Sequence, residues 1–232
     1  MTKNLLTPEG RPLRTIKSFA KRTGRITRIQ LDGIKNHWGE FGLDFQPDIL
    51  NFEEIYGNNH PVVLEIGFGM GTSLLQMAEE NPDLNYLGIE VHTPGVGNIL
   101  DKAHLLGLKN LKIMEYDAIE VLKDSIADQA LQGLQIFFPD PWHKTRHHKR
   151  RLIQDEFMAL TTSKISLGGF VHVATDWEHY ATQILEVLTT CKSIQNQYDT
   201  YAPRPDSRPL TKFEQRGHRL NHDVWDFYFK KI

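Results

Sequence analysis

From about residue 60 onward, short apolar runs alternate with longer amphipathic stretches, and no other feature of the sequence restricts the fold as strongly. Such alternation is typical of an α/β protein with a mostly parallel sheet covered by helices. The apolar runs predict strands at residues 62–66, 86–90, 111–115, 134–138 and 170–174, a further run at 194–198, and a last strand at 224–229. The stretches between them have the length and apolar spacing of helices at residues 72–80, 95–106, 118–127, 149–165 and 177–188.

The chain has 232 residues, which is the size of one large domain. We expect residues 36–232 to form that domain. The basic stretch 1–35 has no clear hydrophobic period, so we interpret it as an arm that can stay disordered without a partner. A proline-rich loop at residues 202–209 precedes the last predicted strand.

The sequence gives no sign of a membrane segment. Apolar runs such as residues 61–66 are far shorter than the roughly 20 residues of a membrane helix. The N-terminus also lacks the basic-then-apolar order of a signal peptide. A single cysteine, Cys191, has no partner for an internal disulfide or a cysteine-based zinc site, which favours a reducing compartment. We therefore expect a cytoplasmic protein.

Positive charge is concentrated in three segments, although the whole chain carries a net charge of −2. Residues 1–35 carry a net +7, residues 143–151 a net +5 and residues 200–232 a net +3, which leaves −17 for the rest of the chain. This segregation indicates a polyanion-binding face on an acidic body. The alternative, a solvated basic tail with scattered surface charge, remains open on charge alone.

The sequence VVLEIGFGMGTS runs from a buried strand into a glycine-rich turn and then into a helix, with Thr72 or Ser73 as the predicted cap. Glycine at positions 67, 69 and 71 lets the backbone approach a ligand closely or take a positive φ. A dinucleotide-binding fingerprint requires one more glycine, where this chain has Thr72. A dehydrogenase is therefore disfavoured.

Three acidic residues lie at the ends of successive predicted strands. Glu65 precedes the glycine turn, where it would repel a phosphate but could accept hydrogen bonds from an ammonium group. Glu90 closes the second strand, where a carboxylate can accept from both ribose hydroxyls, and Asp117 follows the third and could bind an adenine amino group. Each acid alone could be a loop residue or a helix cap. Together, beside the glycines, they predict S-adenosylmethionine, which has an ammonium, a sulfonium and no phosphate.

Asp140 lies between two prolines in the sequence FFPDPW, at the end of the fourth predicted strand. Proline fixes its own φ and restricts the residue before it, so Pro139 and Pro141 should hold Asp140 in an extended backbone. This strand edge should border the cofactor crevice. The sequence thus predicts a preorganised carboxylate there, and the alternative is an incidental acid between strand-ending prolines.

A basic run, HKTRHHKRR, occupies residues 143–151 and is predicted to enter a helix. Cations at a helix N-terminus oppose the macrodipole, and a phosphate partner would explain them. Metal binding is disfavoured because no cysteine accompanies the histidines and the adjacent lysines and arginines would repel a cation. Basic residues beside a methyl-donor crevice indicate a nucleic-acid acceptor.

Five short sequences carry a family resemblance: EIGFGMG at 65–71, GIEVHTPGV at 88–96, FFPDPWHK at 137–144 with the basic run to 151, ATDW at 174–177 and TKFE at 211–214. Together they resemble the bacterial tRNA (guanine-N7-)-methyltransferases, over roughly Pro61 to the C-terminus. The resemblance implies a Rossmann-like class I methyltransferase fold. In that fold a mostly parallel seven-stranded sheet has an antiparallel last strand and helices on both faces.

The resemblance also implies the reaction, which is transfer of the methyl group of S-adenosylmethionine to N7 of guanine 46 in the variable loop of tRNA. With the glycines of the turn, the cofactor-binding residues would be Glu65, Gly67, Gly69, Gly71, Glu90, Asp117 and Asp140. Substrate and tRNA would be bound by Lys144, Arg146, His147, His148, Lys149, Arg150, Arg151, Asp176, Thr211, Lys212, Phe213 and Glu214. Without the family, Asp176 could equally be a helix N-cap, and Thr211 with Glu214 a capping box.

The acceptor constrains the chemistry. Guanine N7 has an in-plane lone pair and no proton, so displacement at a sulfonium methyl needs no general base on N7, and positioning should dominate. Asp140 is the candidate catalytic residue. It could stabilise the positive charge that develops on the purine, or accept hydrogen bonds from guanine N1 and N2.

Two rival functions remain at this stage. A small-molecule methyltransferase, or one acting on another RNA, would share the glycines and the acids, but a small molecule leaves the basic segments unexplained. A non-catalytic RNA-binding protein on the same fold would bind the cofactor without turnover. We expect tRNA as the partner of a monomer or homodimer, with neither a membrane nor a metal involved.

Overall fold

The computed structural model describes residues 17–19, 25–205, 208–209, 214 and 223–232, and its seven strands form one sheet. The strands are β1 (Val62–Ile66), β2 (Asn85–Glu90), β3 (Leu111–Glu115), β4 (Leu131–Phe137), β5 (Ile165–Thr175), β6 (Ile194–Asn196) and β7 (Trp225–Lys231). Their order is β3-β2-β1-β4-β5-β7-β6. Neighbours from β3 to β5 are parallel, and β7 is antiparallel to both β5 and β6. The predicted sheet is confirmed.

Helices cover both faces of this sheet, as predicted. They are α1 (Arg28–Phe41), α2 (Phe52–Tyr56), α3 (Thr72–Glu80), α4 (Thr93–Leu105), α5 (Ala118–Asp124), α6 (Asp155–Lys164) and α7 (Glu178–Thr190). One core contains Leu74 of α3 and Ile99 of α4, and the other contains Phe157 of α6 and Ile184 of α7. Every residue of β1 and β2 is buried, as expected for central parallel strands. Among the described helices, none combines the length and the hydropathy of a bilayer-spanning segment.

The strand order reverses between β1 and β4, which lie side by side while β2 and β3 extend the sheet beyond β1. In open α/β sheets, ligands bind in the crevice beyond the carboxyl ends of the strands at such a reversal. The glycine turn follows β1 and the sequence FPDPW follows β4. The topology therefore brings these two motifs to the same crevice.

Helix α1 overlaps the stretch predicted as an irregular arm. Thr27 and Gln30 form a capping box at its start. The helix packs closely on α4 at Gly33 and Gly97, where a Cβ on Gly97 would collide with the Gln30 carbonyl oxygen. The irregular structure predicted for residues 28–35 is thus wrong, and the predicted boundary at residue 36 falls inside a helix. Residues 1–16 and 20–24 of that arm lie outside the described residues.

The helix predicted at residues 149–165 is wrong in its first turns. Residues Thr145–Arg150 form a 3₁₀ helix, and α6 begins only at Asp155. The first turn of α6 carries Asp155 and Glu156, which the macrodipole favours. The basic run is therefore not at the N-terminus of α6, and the macrodipole gives no reason for a phosphate partner there.

Candidate active site

The glycine turn between β1 and α3 starts at a pocket at the carboxyl edge of the sheet, and its first residue, Gly67, lines that pocket. Gly67, Gly69 and Gly71 have positive φ angles of 78°, 58° and 75°, a conformation that a side chain disfavours. Gly71 is the N-cap of α3, and no side chain makes a cap hydrogen bond there. The conformation expected of the glycines is confirmed, whereas the predicted cap at Thr72 or Ser73 is wrong.

Glu90 holds the glycine turn in place from the end of β2. One of its carboxylate oxygens accepts from the backbone N–H of Gly69 at 2.8 Å. The other accepts from the N–H groups of Val91 at 2.6 Å and His92 at 3.0 Å. A carboxylate offers about four lone-pair sites. Three of these sites are occupied, so the Glu90 carboxylate can accept one further hydrogen bond. Because Glu90 lines the pocket, that donor can come from a ligand.

Glu65 lies buried at the end of β1 with one oxygen unsatisfied. Its side chain is 3% exposed, and Oε2 has no hydrogen-bond partner among the described residues. Burial, with a smaller contribution from the Glu90 carboxylate, raises the pKa of Glu65 to about 8. An unpaired buried acceptor is costly. An ammonium group is a partner that would both satisfy this oxygen and favour its ionised form.

A short N-terminal segment, residues 17–19, contacts the pocket next to Asp117. Lys17 Nζ donates to Asp117 Oδ2 at 2.7 Å and to Glu120 Oε1 at 3.0 Å. The hydrogen bond to Asp117 raises the pKa of the Lys17 ammonium above its ordinary value. Asp117 also caps α5 by accepting from the Ile119 N–H. Asp117 lines the pocket, but an adenine amino group would share its carboxylate with Lys17.

Trp142, which precedes the basic run, and Arg150 within it hold this N-terminal segment. Trp142 Nε1 donates to the Ser18 carbonyl at 3.1 Å. Arg150 donates to the carbonyl oxygens of Lys17 and Phe19, both at 3.2 Å, and its guanidinium carbon lies 4.0 Å from the Trp142 ring centroid. The structure thus uses Arg150 to hold the segment 17–19, where the sequence predicted an RNA contact.

The pocket enclosed by these elements has a volume of about 310 Å³, at the lower end of the range for small-molecule sites. Four of the residues predicted for the cofactor line it directly, namely Gly67, Glu90, Asp117 and Asp140. The rest of the wall includes aromatic and polar side chains from several elements, among them Phe19, His92, Tyr116, Phe137 and Phe138.

Asp140 lies at the edge of this pocket with an exposed side chain. Phe138 and Trp142, two residues to either side, have positive φ angles of 54° and 48°. Such angles are uncommon for residues other than glycine and cluster at functional sites. Residues with a left-handed backbone therefore lie on both sides of the segment 139–141, for which the sequence predicted only an extended backbone.

The basic run separates into exposed and buried side chains. Lys144, Arg146 and Lys149 are exposed, and His147 and His148 are half-buried. Burial and nearby cations hold the pKa of both histidines below its ordinary value, which favours their neutral form. The exposed cations remain a surface for a polyanion next to the pocket.

Arg151 is a correction to the sequence prediction, because its side chain is only 2% exposed. It donates to the Pro141 carbonyl at 2.8 Å and to Gln183 Oε1 at 2.6 Å. Its guanidinium carbon also lies 4.7 Å from the Tyr180 ring centroid. Arg151 therefore fastens the loop after β4 to α7 and is not presented to RNA.

Asp176 is half-buried and directly follows β5. The N-cap of α7 is Trp177, so Asp176 is not the N-cap that it could have been on sequence alone. The Trp177 ring is 38% exposed and lies edge-on to His143 with centroids 4.2 Å apart. The substrate contact of Asp176 stays a prediction.

Glu214 is buried, although the sequence placed it among the substrate-binding residues. Its two carboxylate oxygens accept from Nη1 and Nη2 of Arg208 at 2.7 and 2.8 Å. Thr211, Lys212 and Phe213 lie outside the described residues, so the predicted substrate segment and its capping-box alternative are represented here by Glu214 alone.

Sequence analysis missed the residues that surround Glu214. Arg208 also binds Asp226 on β7, and Asp226 in turn lies 2.7 Å from His172 on β5. Two of these residues could have been found in the sequence, because they are polar residues within otherwise apolar strands: the histidine in FVHVA and the aspartate in VWDFYF.

Known proteins match this chain over nearly its whole length. The tRNA (guanine-N(7)-)-methyltransferase of Pasteurella multocida is 57% identical over 227 residues, which cover 97% of this chain and 89% of that protein. The enzyme of the same name from Haemophilus influenzae strain PittEE is 56% identical, covering 97% and 92%. A methyltransferase family model matches residues 59–227. The chain belongs to the tRNA (guanine-N(7)-)-methyltransferase family.

The fold of this family member is that of other solved methyltransferases. The 16S rRNA methyltransferase KamB aligns with a TM-score of 0.59 at 17% identity, covering 78% of this chain and 93% of KamB. TrmN from Thermus thermophilus aligns with a TM-score of 0.53 at 14% identity, covering 78% and 47%. At these identities the likeness shows the fold alone, and that fold is the predicted class I methyltransferase fold.

The methyl donor of such an enzyme is S-adenosylmethionine, and the residues of the pocket fit it. Glu65 does not line the pocket itself, but it precedes the lining residue Ile66 and offers a buried unsatisfied oxygen for an ammonium group. Glu90 and Asp117 offer carboxylates along the pocket wall, and no lysine or arginine side chain that would suit a phosphate lines it among the described residues.

Proposed function

We propose that this chain methylates N7 of a guanine in tRNA, at position 46 of the variable loop. The observation that carries the proposal is the position of Asp140. It lies at the edge of the cofactor pocket and is followed closely by the exposed cations Lys144, Arg146 and Lys149. A guanine at Asp140 would be next to the methyl donor, and the phosphates flanking it would lie near these cations. The relatives named above act, by their names, on guanine N7 of tRNA.

The bound S-adenosylmethionine would supply an electrophilic methyl group on a sulfonium. We place its ammonium group at Glu65, one of its ribose hydroxyls at Glu90 and its adenine amino group at Asp117. The glycines at 67, 69 and 71 let the backbone approach it closely. Phe19 lines the same pocket, so the segment 17–19 would take part in enclosing the cofactor.

The protein's own contribution is positioning and electrostatics. Guanine N7 carries a lone pair and no proton, so no side chain has to act as a base on it. Asp140 would accept hydrogen bonds from guanine N1 and N2, and its negative charge would stabilise the positive charge that arises on the purine. Asp176 is a further candidate for orienting the guanine from the end of β5.

Cofactor binding should release a proton from Glu65. With a pKa of about 8, this carboxyl is mostly protonated at pH 7. An ammonium group at Oε2 favours the ionised form and lowers the pKa. Calorimetry of S-adenosylmethionine binding at pH 7, in buffers of different ionisation enthalpy, should show release of about one proton in the wild type and none in Glu65→Gln. Buffer-independent heats in the wild type would contradict the assignment.

Lys144→Ala should weaken tRNA binding and make it less dependent on salt. Each phosphate neutralised by a cation releases condensed counterions, so the loss of one contact lowers the slope of log K against log salt by about 1. Filter binding between 50 and 200 mM salt measures this slope. Lys109→Ala is a matched control, since Lys109 is also exposed but pairs with Glu40 and does not line the pocket. A slope identical to that of the wild type in Lys144→Ala would exclude a phosphate contact there.

The acceptor atom is tested with an unmodified tRNA transcript and the same transcript carrying 7-deazaguanine at position 46. The second substrate has a C–H group in place of N7. We expect methyl transfer to the first and none to the second, with similar affinity for both. Equal transfer to both would mean that another atom is the acceptor.

We further propose that the enzyme works in the cytoplasm, as a monomer or homodimer and without a metal. The structure does bring together His37, Glu40 and His104, three side chains of metal-ligand type. Lys109 Nζ, however, already donates to Glu40 at 2.9 Å.

A further inference from the structure

Four ionisable side chains form a buried network next to β5 and β7. They are His172 on β5, Asp226 on β7, Arg208 and Glu214, and each is at most 3% exposed. Arg208 donates to both carboxylates at once, through Nη1 and Nη2 to Glu214 at 2.7 and 2.8 Å, and through Nε and Nη2 to Asp226 at 2.8 and 2.9 Å. His172 Nε2 lies 2.7 Å from the same Asp226.

This geometry depends on an arginine. Its planar guanidinium presents five N–H donors in a fixed fork, which a lysine cannot reproduce. Burial lowers the pKa of Arg208, but its hydrogen bonds and charge interactions with Glu214 and Asp226 outweigh burial and raise the pKa above its ordinary value. Arg208 is therefore charged at every physiological pH. A buried ion pair of this kind is weak evidence for stability, because apolar residues of equal volume often serve as well.

The network adjoins the strand end that carries the catalytic candidate. The guanidinium carbon of Arg208 lies 5.8 Å from the ring centroids of both Phe137 and Phe138. The His172 ring packs edge-on against Phe137 with centroids 4.9 Å apart. Phe137 and Phe138 line the cofactor pocket, and Phe138 has a left-handed backbone two residues before Asp140.

We propose that Arg208 is a positioning residue for the acceptor side of the methyl transfer. It ties Glu214 to the sheet through Asp226 and supports the Phe137–Phe138 end of β4, so that Asp140 meets the guanine in the reactive orientation. This role rests on the transfer to tRNA proposed above. Glu214 would then act through Arg208, which both of its carboxylate oxygens contact.

The test compares Arg208→Lys, Glu214→Gln and the double variant in the full-length enzyme. The concentration of active enzyme is determined by calorimetric titration with S-adenosylmethionine. Rates are then given per active enzyme, so that a loss of folded protein does not lower them. Because small misplacements of reacting groups are costly, each single variant should lower kcat by about tenfold or more and raise KM for tRNA. The Kd for S-adenosylmethionine should stay within about threefold of wild type. The double variant should lose no more than the worse single variant, because both changes break one linkage.

Leu188→Ala is the control for a purely structural effect. Leu188 is fully buried in the core on α7 and is a member neither of the network nor of the pocket lining. This variant should lower Tm and leave kcat and KM per active enzyme unchanged. If Arg208→Lys and Glu214→Gln behave in the same way, or if their losses multiply in the double variant, the positioning role is wrong.

Three further outcomes decide between the two proposals. If Arg208→Lys does not fold, Glu214→Gln decides alone, and a wild-type kcat in that variant overturns the inference. If the wild-type enzyme itself methylates no tRNA, the proposed function fails. If the wild-type enzyme methylates tRNA and the variants are equally active, only the role of Arg208 is overturned.

Discussion

Replacing Asp140 with asparagine is expected to lower kcat for tRNA methylation by about 10²- to 10³-fold, the loss typical of one preorganised electrostatic group. Asparagine keeps the shape of the side chain but removes the charge that would stabilise the positive purine. It also places an N–H donor where a guanine N–H would approach. The affinity for tRNA should change little, because phosphate contacts dominate binding and lie on other residues. Single-turnover rates at saturating tRNA and S-adenosylmethionine measure the effect.

Asp83→Asn is the matched control for this experiment. Asp83 is also an exposed aspartate, but it precedes β2 and so lies at the amino end of the strands, away from the pocket. It should retain the wild-type rate. If Asp140→Asn turned over at close to the wild-type rate, or lost tRNA affinity in proportion to its rate, Asp140 would not be the catalytic residue.

Replacing Glu90 with alanine should weaken S-adenosylmethionine binding by about 100-fold. Glu90 accepts hydrogen bonds from the N–H groups of Gly69, Val91 and His92, and its loss leaves these donors without their acceptor. The lost hydrogen bond between the ribose and a charged carboxylate costs about 1.5–3 kcal/mol, and 100-fold in affinity corresponds to about 2.7 kcal/mol. The glycine turn would lose its anchor and the ribose its predicted acceptor. Calorimetric Kd values for the two proteins test this directly.

Glu115→Ala provides the comparison. Glu115 ends β3 in register with Glu90, but it accepts a hydrogen bond from Thr93 and does not line the pocket. Its removal should change the Kd by less than about threefold. An unchanged Kd in Glu90→Ala would remove Glu90 from the cofactor site, and equal losses in both variants would indicate a general effect on the sheet edge.

The cofactor side of the site could be predicted because its determinants are local in sequence. The positive φ angles at residues 67, 69 and 71 follow from glycine at those positions. The meeting of Glu90 and Asp140 follows from the rule that parallel strands present their carboxyl ends at one edge. No contact between distant side chains had to be known for either prediction.

Helix α1 shows why the N-terminal region could not be predicted in the same way. Phe41 of α1 is buried in the core that contains Leu74 and Ile99, and Ile34 and Trp38 pack against that core, but Trp38 and Phe41 lie beyond the stretch predicted as the arm. The helix is also held by the close approach of Gly33 and Gly97, two residues that are 64 positions apart in the chain. Within residues 1–35 this apolar period is cut short after Ile34, and the contact between the two glycines adds nothing to it that the sequence could show.

The basic run and the buried network show a second reason why part of the site could not be predicted from the sequence. Arg146, Arg150 and Arg151 are equivalent in sequence, yet the first is exposed, the second holds the segment 17–19 and the third is buried. A 3₁₀ helix distributes neighbouring side chains in different directions, and only the packing decides which one meets solvent. Arg208 likewise needs two carboxylates from separate elements, which no local pattern brings together.

The most direct test of the proposed function is a methylation assay with two unmodified tRNA transcripts, one with guanine and one with adenine at position 46. Purified protein is incubated with methyl-labelled S-adenosylmethionine, and the products are treated with borohydride and aniline, which cleave at N7-methylguanosine. We predict label in the first transcript only, with cleavage at nucleotide 46. Label without cleavage at that nucleotide, equal label in both transcripts, or no label in either would contradict the proposed function.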